Sequence, residues 1–66
     1  MERNSARLLA LLRADGWVDV RQRGSHCTLK KPGVVELITV PLPEKDLPKG
    51  LVRRIYTIAG WQVQGS

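Results

Sequence analysis

The sequence is poor in the residues that build cross-links and metal sites. A single cysteine, Cys27, excludes an internal disulfide and any zinc site built on several thiolates. A single histidine, His26, means that a protein-bound metal would have to rest on carboxylates. No apolar run is long enough to cross a bilayer: the leucine cluster at residues 8–12 is far short of the roughly 20 residues needed. That cluster also lacks a small-residue cleavage site, so no targeting segment is read. Repeats, low-complexity tracts and linkers are absent too. A reducing, cytoplasmic setting without cofactor or metal is the resulting expectation.

What is present fits one small domain. Sixty-six residues predict a thin core and a radius of gyration of roughly 11 Å, with no room for a deep enclosed pocket. Hydrophobic residues at 42% and charged residues at 26% are ordinary globular values and argue against disorder. The domain is read as spanning residues 1–66, with a frayed polar tail at residues 62–66.

Charge is the first positive clue. Eleven Lys and Arg against six Asp and Glu leave +5 at neutral pH, and the sequence pI is near 10.2. Residues 20–35 hold Arg21, Arg23, Lys30 and Lys31 and no acidic residue, so nearly all the excess sits on one short stretch. A concentrated basic patch favours polyanions such as nucleic acid, an acidic protein or an anionic membrane. The membrane reading is the poorest, because these cations fall in strands and turns instead of along an amphipathic helix.

The hydrophobic pattern predicts a helix, three strands and a helix. Asn4 or Ser5 can accept the first free backbone N–H groups of a helix whose Leu8, Leu9, Leu11 and Leu12 lie on one arc; Gly16 ends it. Residues 17–22 alternate as a strand with Val18 and Val20 on one face. A turn at Arg23-Gly24-Ser25 leads into a second strand, residues 26–30. With Arg23-Gly24 as a two-residue loop, Val20 opposes Cys27 and Val18 opposes Leu29, all facing inward, while Arg21 opposes His26. Placing the loop at Gly24-Ser25 changes the partners and keeps Cys27 and Leu29 in and His26, Thr28 and Lys30 out. Pro32-Gly33 makes a second turn, residues 34–40 a third strand with Ile38 and Val40 inward, and Pro41-Leu42-Pro43 leads out of the sheet. A second helix begins near Pro48, buries Leu51, Val52, Ile55, Ile58 and Ala59, and closes at Gly60. The expected fold is α+β, α-β-β-β-α, a three-stranded antiparallel sheet with both helices on one face. The other sheet face stays open to water, and His26, Arg21 and Lys30 emerge there together.

Histidine is the side chain that ordinarily exchanges protons near neutral pH. RNA carries its own nucleophile, the 2′-hydroxyl, so strand scission needs a base, cations for the phosphate and in-line positioning, but no metal. His26 among Arg21, Arg23, Lys30 and Lys31 meets that minimum. The competing reading is an exposed strand histidine with no chemistry, since one His has no spacing to test. Cys27 points inward by parity and reads as a small buried hydrophobe. Ser25 has no second partner for a hydrolytic triad. Trp17 or Trp61 could stack on a base but each sits at an element boundary, where capping the small core is the simpler use, and Tyr56 borders the apolar arc of the second helix and reads as packing.

These residues carry a resemblance. Asp15-Gly16-Trp17, running through Val20-Arg21-Gln22 to Gly24-Ser25-His26, forms the first part. Thr39-Val40-Pro41, then Lys45-Asp46-Leu47-Pro48-Lys49-Gly50, Ile55 and Ala59-Gly60 form the second. Over residues 4–61 the chain resembles the HicA family of toxin–antitoxin systems, small ribonuclease toxins with a double-stranded-RNA-binding-domain-like fold. The resemblance implies an mRNA interferase that blocks translation until a HicB-like antitoxin binds it. It implies that His26 of the Gly-Ser-His motif is catalytic; the basic face itself is expected to hold the RNA through Arg21, Arg23, Lys30 and Lys31, with Ser25 beside them. Two positions depart from the family pattern. Leu42 stands where a second histidine is common, and Cys27 where His or an aromatic often follows the motif histidine. The first leaves His26 itself, water or Lys30 to protonate the leaving oxygen. The rival expectation keeps the fold and drops the chemistry: a non-catalytic RNA- or protein-binding module.

Overall fold

The structure, a computed structural model, describes residues 1–62; of the tail expected to fray, residues 63–66 lie outside the described residues. The element order is α1 (Ser5–Ala14), β1 (Val18–Arg23), β2 (His26–Lys30), β3 (Ile38–Pro41) and α2 (Lys49–Ala59). The strands form one antiparallel meander in the order β1-β2-β3. The Cα radius of gyration is 11.0 Å.

Each helix starts and stops for a local reason. Asn4 caps α1, its Oδ1 accepting from the Arg7 N–H at 3.1 Å, which satisfies one of the free donors of the first turn. Asp15 and Gly16 end the helix. Pro48 precedes α2, and Gly60 terminates it in the left-handed conformation at φ 77°. Asp46, two residues before Pro48, pairs with Arg3 at 3.1 Å.

The core joins both helices to one sheet face. Leu8, Leu9 and Leu12 of α1 and Val52 and Ile55 of α2 bury against Cys27, Leu29, Ile38 and Val40, with Trp17 and Leu47 closing the ends. Leu11, expected on the same arc as its neighbours, is 45% exposed, so the buried stripe of α1 is narrower than the sequence suggests. The segment before α2 is tied to the start of α1. Ser5 N–H donates to the Glu44 carbonyl at 2.8 Å, Glu44 N–H donates to Ser5 Oγ at 2.9 Å, and Leu47 N–H donates to the Arg3 carbonyl at 2.8 Å.

The sheet takes the second of the two expected hairpin loops and departs from the expectation in β1 and at the start of β3. The hairpin loop is Gly24-Ser25, with Arg23 opposite His26, and Gly24 takes φ 53°, a positive value suited to glycine in a two-residue loop. A β-bulge then falls between Asp19 and Arg21, so that Asp19 opposes Leu29 and Val18 opposes Lys30. Val18 and Val20 therefore do not enter the core; they are 58% and 53% exposed. The extra residue turns Asp19 toward the helices, where Arg13 of α1 donates to it through Nε at 3.0 Å and NH2 at 2.7 Å. An edge strand tolerates such a bulge because only one side of its ladder is interrupted. The third strand also begins later than expected, at Ile38. Lys31 to Val34 form a turn, the Val34 N–H donating to the Lys31 carbonyl with Pro32 and Gly33 between them and Gly33 at φ 85°. Ile38 and Val40 face inward as expected.

Candidate functional site

The uncovered sheet face is assembled from cross-strand rows, because side chains opposite one another on neighbouring strands share a face. One row is Arg23–His26–Pro41, the next Arg21–Thr28–Thr39, and Val18 pairs with Lys30 beyond them. The Thr28 and Thr39 hydroxyls hydrogen-bond to each other at 3.1 Å between His26 and Lys30 on this face. Arg21, Arg23, His26 and Lys30 are all exposed. Among the described residues none of these three cations has a carboxylate partner; the ion pairs are Arg3–Asp46, Arg13–Asp19 and Lys31–Asp15. The bulge that carries Asp19 to the helix side removes the one carboxylate of β1 from this surface.

His26 opens β2 directly after the turn. Its neighbour Ser25 is exposed, and the Ser25 carbonyl accepts the Leu42 N–H, which fastens the turn to the chain leaving β3. The site thus sits on two paired strands and a braced loop, not on a free one.

Lys31 is placed apart from the other site residues. Its Nζ lies 3.1 Å from Asp15 Oδ2, and its stem passes over Gly16, on the side of the sheet opposite Lys30. Asp15 also accepts from Trp61 Nε1 at 3.1 Å, and these two donors hold its carboxyl below the usual range. Arg13 does the same for Asp19. Lys31 therefore serves an ion pair beneath the end of α1, while Arg21, Arg23 and Lys30 remain free for an anion.

Cys27 is buried, 3.4 Å from Asp19 Oδ2. Burial and then the Asp19 carboxylate push its thiol pKa up, so it is a poor nucleophile at neutral pH. Tyr56 and Trp61 pack edge to face with centroids 5.0 Å apart, and the Tyr56 hydroxyl accepts the Glu2 N–H. They line an open cleft of about 440 Å³ with Leu11, Ala14 and Asp15 on the helix side, away from His26. No group of three or more His, Cys, Asp or Glu is arranged to hold a metal ion among the described residues. No helix of the described residues is long and apolar enough to cross a membrane.

A family model for the HicA toxin of bacterial toxin–antitoxin systems matches residues 5–61. The chain belongs to the HicA toxin family. It is also similar to a chain of a solved HicA3 and HicB3 toxin–antitoxin complex, at 42% identity and a TM-score of 0.77, covering 92% of this chain and 98% of that one. No curated protein sequence matches it significantly. The two chains share the α-β-β-β-α fold; in this chain the helices cover one side of the sheet and the opposite face is open.

Sequence reasoning found His26, Arg21, Arg23 and Lys30 on the face where they lie. It missed the outward turn of Val18 and Val20, for which alternation holds no signal. It also passed over the Thr39 hydroxyl, which the inward parity of Ile38 and Val40 was enough to reveal.

Proposed function

We propose that this HicA-family chain is an endoribonuclease that cuts mRNA in the cytoplasm and so blocks translation. In this reading His26 takes the proton from a 2′-hydroxyl, the 2′-oxygen attacks the adjacent phosphorus, and the bond to the 5′-oxygen breaks, leaving a 2′,3′-cyclic phosphate. The imidazolium so formed, or water, returns a proton to the departing 5′-oxygen. Arg21, Arg23 and Lys30 hold phosphates and offset the charge that builds on the reacting one; Ser25, exposed beside His26, is placed to contact the same strand. The observation that supports this most is the exposed imidazole of His26 paired with Arg23 on a face whose cations have no carboxylate partners among the described residues. Phosphate contacts position a strand without reading its bases, so weak sequence preference follows.

A HicB-like antitoxin would neutralise the chain by laying acidic or hydrogen-bonding groups over this face and covering His26. The HicB3 partner in the solved complex of the related toxin supports the existence of such a partner.

One observation favours a second reading, a non-catalytic RNA- or protein-binding module. Leu42, half-buried against the core, holds the place where relatives often carry a second histidine. Cleavage of a defined RNA in the presence of a chelator separates the two. Turnover that persists without free metal and vanishes in His26→Ala supports the nuclease; binding without turnover supports the module.

A further inference from the structure

The bulge in β1 has left two valines standing in water. Val18 and Val20, together with Lys30 and Pro32, wall an open cleft of about 330 Å³ on the same face as His26. Lys30 lies four residues along β2 from His26, which at about 3.3 Å per residue puts the cleft roughly 13 Å from the imidazole. Its walls are aliphatic apart from the Lys30 ammonium, and the cations Arg21 and Arg23 lie on the same face between cleft and turn.

We propose that this cleft is a subsite for an unstacked nucleobase of single-stranded RNA, a few nucleotides from the phosphate that His26 attacks. The inference rests on the nuclease reading above and deepens it. Exposed apolar surface calls for an apolar occupant, whereas Lys30 on its rim, with no carboxylate partner among the described residues, calls for an anion. A base carried on its own phosphate backbone supplies both at once. In a duplex the base faces are already stacked on each other, so only a single strand can present one here. The walls offer a ring surface to rest on but no donor–acceptor pattern for reading base edges. The subsite therefore anchors and registers the strand without choosing its sequence.

Binding of 2′-O-methyl oligoribonucleotides, which lack the attacking hydroxyl, tests this on the full chain. A base-bearing oligomer is compared with a wholly abasic one of the same length, for the natural chain and for the Val18→Ser, Val20→Ser variant. Loss of the two valines is expected to weaken binding of the base-bearing oligomer by about tenfold, to leave the abasic oligomer's affinity alone, and to leave the salt slope unchanged. Val20→Thr, which keeps the branched shape, serves if the double variant does not fold, with the same difference expected at smaller size. Equal losses for both oligomers, or no loss for either, overturn the subsite while leaving the RNA reading intact. Unaltered RNA binding with loss of antitoxin binding overturns it in favour of a protein interface. If the natural chain binds neither oligomer, the RNA reading fails and the subsite fails with it.

Discussion

Arg23 and His26 face each other across the first pair of the hairpin, joined by the two-residue turn Gly24-Ser25. The pairing puts a guanidinium and an imidazole side by side on the solvent face of the sheet. On the proposed nuclease reading, a phosphate held by the first would be presented to the second.

Replacing His26 by Ala is expected to lower cleavage by about 10²–10⁴-fold, the usual range for loss of a general base. The side chain is exposed, so the melting temperature should barely move and RNA affinity should persist. Single-turnover cleavage of a defined transcript, alongside a thermal melt, checks both halves. Undiminished cleavage would remove His26 from the reaction.

The cations should divide into two groups. Arg21→Ala, Arg23→Ala and Lys30→Ala are each expected to flatten the dependence of log K on log salt by roughly 0.7, the value for one phosphate contact to a single strand. Lys31→Ala should leave that slope alone and lower the melting temperature slightly, because its ammonium is engaged by Asp15. A flattened slope in the Lys31 variant would show that it leaves the ion pair to meet RNA.

Acid should destabilise the fold from about pH 4 downward. Asp15 is held below its ordinary pKa by the Lys31 and Trp61 hydrogen bonds, and Asp19 by the one from Arg13. In the unfolded chain both titrate at about 3.9, so that state binds protons first and gains on the folded one as pH falls. The stabilisation is present in full above that range and is lost as pH drops through the depressed folded values. Thermal melts from neutral pH into acid should show it, with a shallower decline for Asp19→Asn.

Leu12 and Leu11, adjacent on α1, should behave as opposites. Leu12 is 0% exposed and Leu11 45%. Leu12→Ala is expected to cost about 2–5 kcal/mol, comparable with the roughly 3–5 kcal/mol that a core of this size supplies. That variant should be largely unfolded at room temperature, whereas Leu11→Ala should cost less than about 1 kcal/mol. Urea denaturation of the two variants gives the comparison directly.

Element order, both helix ends and the inward parity of β2 and β3 were readable because each depends on neighbours in sequence. Asn4, Gly16, Pro48 and Gly60 act through backbone geometry within a turn of chain, and Cys27 and Leu29 alternate with polar residues. The parity of β1 was not readable. Its apolar pair, Val18 and Val20, points inward by every rule of alternation, yet a bulge reverses it to give Asp19 a partner, Arg13, on a helix. The separation of Lys31 from Lys30 is of the same kind: adjacent in sequence, they project to opposite sides of the sheet, and Asp15 claims one of them. The placement of His26 on the open face was thus legible from local pattern, and the margins of that face were decided by contacts made across the fold.

The bond from the Leu42 N–H to the Ser25 carbonyl has a dynamic consequence. A hairpin tip pinned at one end only would swing with solvent, carrying its imidazole through a range of approach angles to any bound strand. Stitched to the chain that leaves the third strand, the tip moves with the whole sheet, and on the proposed nuclease reading the amide of Leu42 would help keep the attack geometry, on which rate depends steeply.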